Sequence, residues 1–387
     1  MEIGGIGCAA HCGSAAAVGM KISILCHNLS SNTSMRAHRL ALMGQHFADV
    51  EVIGPIEKNG PWPAFPDNIP MRTVPKRRFP KFFASLQALV ELASGDVLIA
   101  VKPHLASLGT ALLAATLRLR PVVLDVDDLD SSLVPRDDWP QHPEMADLSR
   151  PGSAVYVSVL ERAAPAADIR TASNRALAQH FGALLLPHGA MEVDPAAFPR
   201  KVARKHLGLP EDERLIVFPG TPHAHKGVEV LLHATTGTGA RVVVTCRPTD
   251  LVNASSPHLL RIPVLRFDQV PWLFAAADIV AIPQQDVGAA HYQMPIKLYD
   301  AMAMGCTIVS TRVSDIEETV GDAGLIVTPG DENALRTAIA DLLNDPGAAQ
   351  KLGARARERS HALYSIEHLA EVLRTAILSL GLQAGTV

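Results

Sequence analysis

The 387-residue chain is long enough for two ordinary domains, each with its own core. Hydrophobic residues make up 48% and aromatics only 4%, which suits helices packed on parallel strands, and a net charge of -4 leaves no basic excess for a nucleic-acid partner. Five scattered cysteines (Cys8, Cys12, Cys26, Cys246, Cys306) do not read as a disulfide framework, and no apolar run approaches the roughly 20 residues that span a bilayer, so a reducing cytoplasm is expected.

Residues 1–19 are Gly- and Ala-rich and carry Glu2 where a signal peptide wants positive charge. They read as a disordered extension, or as sequence upstream of a start at Met20. Gly5-Ile6-Gly7-Cys8-Ala9-Ala10 matches G-x-G-x-x-A loosely, without the flanking strand and helix that a dinucleotide fingerprint needs. Cys8, His11 and Cys12 fall short of a metal's ligand set.

From Met20 onward short β-branched runs alternate with helical stretches. Lys21–Cys26 reads as a strand, Ser34–His46 as a helix and Val50–Ile53 as a strand. Asp96–Val101 and Val122–Val126 are strands on either side of a helix at Leu105–Leu117. Asp168–Ala172, Asn174–Phe181 and Leu184–Pro187 repeat the pattern. The polar segment Leu207–Glu213 then opens a second series, with strands at Leu215–Phe218, Arg241–Thr245, Ile262–Leu265, Asp278–Ile282, Thr307–Ser310 and Leu325–Thr328. Asp331–Leu380 is helical, with breaks expected at Pro346 and near Ser360. Strands spaced by helices of this length indicate βαβ units and parallel sheets. The expected architecture is therefore two doubly wound α/β domains joined near Phe198–Glu211. Ligands of such sheets bind beyond the carboxyl ends of the strands, so chemistry belongs in the cleft between the two.

Two stretches place a lysine at a helix start just after a strand. In FPGTPHAHKGVEVLLHA, residues 218–234, a buried strand ends at Gly220, a loop carries Thr221, His223 and His225, and Lys226-Gly227 opens a helix. Free N–H groups, the positive end of the helix dipole and a lysine converge there on an anion site suited to a diphosphate. In YQMPIKLYDAMAMGCTIVST, residues 292–311, a helix starts near Pro295 or Ile296, with donor amides around Ile296, Lys297 and Leu298. Lys297 adds charge, and Asp300, one turn on, is suited to vicinal hydroxyls such as those of a ribose. The repeated design asks for a nucleoside diphosphate.

These segments resemble the nucleotide-sugar domain of GT-B glycosyltransferases of family GT4. The resemblance runs through Gly220…Lys226-Gly227, the segment from Asp300 to Thr311 with its Ala-Met-Ala-Met-Gly, Glu317-Glu318 with the following Gly-Asp-Ala-Gly, and Ala275–Ile279. Leu186-Pro187-His188-Gly189 is similar to the family's interdomain crossover, with His188 where Asn is usual. It covers most of residues 168–345. Three departures stand out: Thr221 replaces a phosphate-binding arginine, Tyr292 the first glutamate of Glu-x7-Glu, and Asp300 the second. The resemblance implies a GT-B fold with two Rossmann-like domains facing across a cleft, residues 20–198 for the acceptor and 199–360 for the donor, with 361–387 returning to the first. It implies transfer of a sugar from a UDP-, GDP- or ADP-sugar to an acceptor hydroxyl, with retention and without a required metal or other cofactor. Lys226 and Lys297 would stabilise the leaving diphosphate. Gly220, Thr221, Gly227, Phe267, Tyr292, Ile296, Leu298, Asp300 and Glu318 would complete the donor site, with base recognition near Cys246–Asp250 and Leu265–Phe267.

The first half is less legible. Its polar loop offers Asn28, Ser31 and, in the next helix's first turn, Arg36 as hydrogen-bonding or anion contacts. Alternation puts Asp125 and Asp127 on one face, with Asp128 beside them. A D-x-D pair can bind Mg²⁺ or Mn²⁺ with a diphosphate, or hold acceptor hydroxyls. Asp127 and His104, with Lys226 and Asp300, are the candidate catalytic groups. Residues 75–83 interleave four positive charges with three phenylalanines, a stretch suited to an anionic membrane surface at the inner face or to a lipid-linked acceptor, and equally to a solvated loop before a core helix. The acceptor is expected to be a carbohydrate, a lipid-linked species or a small molecule. Two other readings stay open: a catalytically degenerate nucleotide-sugar binder, and a sugar-nucleotide epimerase or hydrolase on the same architecture.

Overall fold

The structure, a computed structural model, describes residues 19–63, 65–66, 68–132, 142–247 and 256–381. The cysteines and histidine of the N-terminal extension lie outside these residues, as do 248–250 of the segment assigned to base recognition.

Among the described residues the strands form two parallel sheets. The first contains β1 (Lys21–Cys26), β2 (Asp49–Ile56), β3 (Met71–Pro75), β4 (Val97–Val101), β5 (Val122–Val126), β6 (Ile169–Ala172) and β7 (Leu184–Leu185), in the order β3-β2-β1-β4-β5-β6-β7. The second contains β8 (Arg214–Phe218), β9 (Ala240–Thr245), β10 (Leu259–Ile262), β11 (Ile279–Ile282), β12 (Ile308–Thr311) and β13 (Leu325–Val327), in the order β10-β9-β8-β11-β12-β13. Ile24 of β1 lies opposite Val52 and Ile99, and Ile216 of β8 opposite Val242 and Ile279. Helices cover both faces, so the central strands are mostly apolar and almost wholly buried. β4 and β5 are buried at every position.

The helices are α1 (Ser34–Gln45), α2 (Phe82–Leu92), α3 (Thr110–Arg118), α4 (Ala154–Arg162), α5 (Arg175–Phe181), α6 (Arg200–His206), α7 (Val228–Thr235), α8 (Val270–Ala276), α9 (Ile296–Ala303), α10 (Ile316–Val320), α11 (Glu332–Asn344), α12 (Pro346–Tyr364) and α13 (Ile366–Leu378). α13 inserts Ile366, Leu369, Leu373 and Ile377 into the core beside β1 and α1, far from them in sequence. Each such side chain contributes about 1.5–3 kcal/mol on burial. The chain's end is thereby pinned to its first half.

Four local readings change. The strand expected at Ile262–Leu265 is β10, three residues earlier, because Pro263 has no N–H for the ladder. The break near Ser360 falls at Ser365 instead, where the Ser365 carbonyl-side turn ends α12 and its hydroxyl accepts from the His368 amide to cap α13. The Leu105–Leu117 helix opens with a π-helical turn over Leu105–Gly109 before α3. β3, half-exposed at a sheet edge, and α4 have no counterpart among the expected elements.

In each sheet the strand order reverses between neighbours, β1 and β4 in one, β8 and β11 in the other. Loops that leave adjacent strands in opposite directions open a crevice there, which is where doubly wound sheets hold ligands.

Candidate active site in the interdomain cleft

Loops from both switch points line one cavity of about 610 Å³. One wall comes from the second sheet. After β8 the chain runs through Gly220 and Thr221, past His223 and His225, to Lys226, all lining the cavity. Gly227 then takes φ +76°, and a Cβ there would stand 1.9 Å from the Pro283 carbonyl oxygen, so only glycine lets the loop pass and α7 begin. The Lys226 ammonium donates to Gln293 Oε1 at 3.1 Å, and burial lowers its pKa. Ile296 and Lys297, in the first turn of α9, line the same wall. Burial also lowers the pKa of Lys297, partly offset by Asp300. Two half-buried lysines beside the N-terminus of α9 concentrate positive potential on one side of the cleft.

The facing wall comes from β1, β4 and β5. Lys102 follows β4 with φ +65° and is 2% exposed. It donates to Asp128 at 2.5 Å and Asp130 at 2.9 Å, with Asp127 at 3.8 Å. These carboxylates hold the Lys102 pKa well above its ordinary value despite burial. His104 Nε2 lies 2.5 Å from Asp130 Oδ2, and the His27 ring stacks on His104 with centroids 3.9 Å apart. Burial pushes Asp127 up to about 7, and burial keeps His27 neutral. Asp127 Oδ1 and His104 Nδ1 are buried without a hydrogen-bond partner.

Two buried ion pairs frame the cleft. Arg36 donates Nε to Asp125 Oδ1 and Nη2 to Oδ2, each at 2.7 Å, and its remaining donors reach the Leu186 and Pro187 carbonyls. Thr171 donates a further bond to Asp125. Arg39 of α1 pairs with Asp300 of α9 at 2.5 Å, and the Met191 amide donates to the same carboxylate. The second pair ties the first sheet's helices to the second's.

The expected site residues therefore divide. Gly220, Thr221, Lys226, Ile296 and Lys297 line one wall of the cavity, and Asp127, Asp128 and His104 the other. Gly227 stands behind the wall. Asp300 is fully buried against Arg39, out of a ribose's reach, because the first turn of α9 turns Lys297 to the cleft and Asp300 into the joint. Asp125 and Arg36 satisfy each other as a structural clamp, so Asp125 and Asp127 do not act as a D-x-D pair. Leu298 is in the core, and its amide already bonds the Pro295 carbonyl. Phe267 packs edge-on against His38 with Arg39 over its ring. Tyr292 packs on His180, and exposed Glu318 pairs with Arg175 at 3.2 Å. Asn28 and Ser31 are spent on the loop's own hydrogen bonds, and their neighbours Asn32 and Thr33 line the cleft instead.

Sequence reading missed Lys102, Asp130, His27, Gln284 and Gln293 in this lining. Lys102 and Asp130 lie within two residues of groups that were noticed, so proximity to His104 and Asp128 was the available signal. In residues 75–83, Lys76 pairs with Glu57 and Arg78 with Asp147, Phe79 packs on Phe82, Phe83 and Tyr156, and Phe83 stays largely exposed. Among the described residues no helix is long and apolar enough to cross a membrane.

Comparison with known proteins bears on the fold and on the second half of the chain. Residues 213–345 match the family described as "Glycosyl transferases group 1". The curated D-inositol 3-phosphate glycosyltransferase of Mycobacterium tuberculosis (strain ATCC 25618 / H37Rv) is 28% identical over 191 residues. That match takes in 45% of this chain and 39% of the relative, so the chain spans well under half of the relative's length. Among solved structures, sucrose-phosphate synthase from Thermosynechococcus elongatus superposes with a TM-score of 0.68 at 18% identity, covering 94% of this chain and 99% of that one. Anabaena HepE in complex with UDP and glucose gives 0.70 at 15% identity, covering 93% and 100%. The fold is GT-B, and the likeness to group 1 glycosyltransferases is shown in the second half.

Proposed function

We propose that the chain is a retaining glycosyltransferase that moves a sugar from a nucleoside-diphosphate sugar to an acceptor hydroxyl. The observation that carries this reading is the opposition of the two walls. One gathers Lys226, Lys297 and the N-terminus of α9; the other gathers carboxyl groups and imidazoles around Lys102. The first suits a diphosphate and the second suits hydroxyls.

In the reaction, the bond between the sugar's anomeric carbon and the donor phosphate oxygen breaks, and the electron pair leaves with the diphosphate. Lys226, Lys297 and the helix amides stabilise the charge that develops there. Preorganised donors in a water-poor site are worth more than the same groups in water. The acceptor hydroxyl, held by Asp127, Asp128 and His104, attacks the anomeric carbon from the face the diphosphate vacates. Its proton passes to a phosphate oxygen of the leaving group. Domain 20–198 brings the acceptor and domain 199–360 the donor.

The test is incubation with UDP-, GDP- and ADP-linked sugars, with and without a mixture of sugar and cyclitol acceptors, following nucleoside diphosphate release and the anomeric configuration of the product. Acceptor-dependent release with retained configuration supports the reading. Release or sugar isomerisation that ignores the acceptor would point to a hydrolase or epimerase.

A further inference from the structure

Among the described residues, the cations of the acceptor wall are already paired. Arg36 is closed by Asp125 and by two backbone carbonyls, and Lys102 by Asp128 and Asp130. His27 and His188 are kept neutral by burial. Around the single ammonium of Lys102 stand three carboxyl groups, Asp127, Asp128 and Asp130, all on the cavity lining. Asp128 also faces Lys226 across the cleft, close enough for its charge to act on that ammonium.

The unpartnered atoms point the same way. His104 Nε2 lies 2.5 Å from Asp130 Oδ2, a contact that holds the imidazole in place on the cavity wall. His104 is 7% exposed, and its Nδ1 has no partner; neither has Asp127 Oδ1. Both residues belong to the cavity lining, where the carboxyl oxygens of Asp127, Asp128 and Asp130 are suited to O–H donors. A phosphate ester would bring only further acceptors and a like charge.

We propose that this subsite takes an uncharged polyol, a sugar or cyclitol ring presenting neighbouring hydroxyls, and rejects its phosphorylated form. The inference rests on the glycosyltransferase reading and deepens it. The mycobacterial relatives are named for D-inositol 3-phosphate, so this chain departs from them at the acceptor.

The full-length protein is assayed with its nucleotide sugar and with paired acceptors: glucose and glucose 6-phosphate, N-acetylglucosamine and its 6-phosphate, myo-inositol and its 1-phosphate. Glycosylated product is detected by mass spectrometry. At least one free polyol is glycosylated at least about tenfold faster than its phosphate ester, the factor that a like charge at short range imposes. The ratio shrinks as salt rises from about 20 mM to about 0.5 M, because the discrimination is electrostatic. Asp128→Asn, at the rim, lowers the ratio about fivefold. Faster transfer to the phosphate esters, product from no member of the panel, or a ratio indifferent to both salt and Asp128→Asn overturns the proposal. Slow donor hydrolysis without acceptor, read in the same assay, separates the two levels. With hydrolysis intact, only the acceptor class falls; with no nucleotide sugar bound or hydrolysed, the underlying reading falls and this inference with it.

Discussion

Lys226 and Asp127 face each other from opposite walls of the cleft, and burial drives both toward their uncharged forms. A bound diphosphate reverses that pressure on Lys226, since it supplies the missing counter-charge. Lys226→Ala should therefore weaken binding of the cognate nucleoside diphosphate about tenfold or more, a charged hydrogen bond being worth about 1.5–3 kcal/mol. Binding of the parent nucleoside should change less than about twofold. Titration calorimetry with both ligands checks this, and equal losses would remove Lys226 from the phosphate site. The native pKa of Asp127, about 7, lies above the ordinary 3.8, so between those values the folded state holds a proton that the unfolded state has lost. Stability then falls as pH rises through this window. Buried neutral histidines such as His27 and His188 contribute the opposite slope up to about pH 6.5. The informative quantity is the difference between proteins: Asp127→Asn should lose the downward component, gaining melting temperature relative to wild type as pH goes from about 5 to about 8. A difference that stays flat over that range would show that Asp127 is not held protonated.

Between elements, the Arg39–Asp300 pair joins α1 to α9 and is fully buried on both sides. Breaking such a pair by removing one partner leaves a charge stranded, whereas an apolar replacement of both is often neutral. Arg39→Met should cost about 3–5 kcal/mol in urea unfolding, and the double variant Arg39→Met with Asp300→Leu should recover most of it. Costs that simply add would mean the two side chains do not depend on each other. Gly227→Ala should destabilise by at least about 2 kcal/mol, because it combines a left-handed backbone with a carbonyl 1.9 Å from the new Cβ. The same elements explain what the sequence revealed. Both-face burial makes β1, β4, β5, β8 and β9 strongly apolar, β4 without a break, so alternation with helices was readable. β3 has exposed Arg72 and Thr73 and no such signature, and only the ladder to β2 makes it a strand. The lysine-bearing helix starts were legible because a local pattern creates them. Asp300, Asp125 and Arg36 were misplaced because their roles are fixed by partners 261 and 89 residues away in sequence, which no local pattern encodes.

At the scale of the molecule, two doubly wound sheets bring their switch points to one cavity, and α13 returns to pack against α1 and β1. Lys226 and Lys297 line the cavity from the second sheet, and Lys102 with Asp127, Asp128 and Asp130 from the first. The proposed function centres on the wall of Lys226 and Lys297 holding a nucleoside diphosphate. The most direct test is the melting temperature of the protein with UDP, GDP, ADP and dTDP, each with and without Mg²⁺. A ligand confined to the folded state adds about 2.7 kcal/mol at a hundred times its dissociation constant. The account predicts a clear rise with one of these diphosphates, the same with and without Mg²⁺. A flat response to all four would contradict it and leave the glycosyltransferase likeness a matter of fold alone.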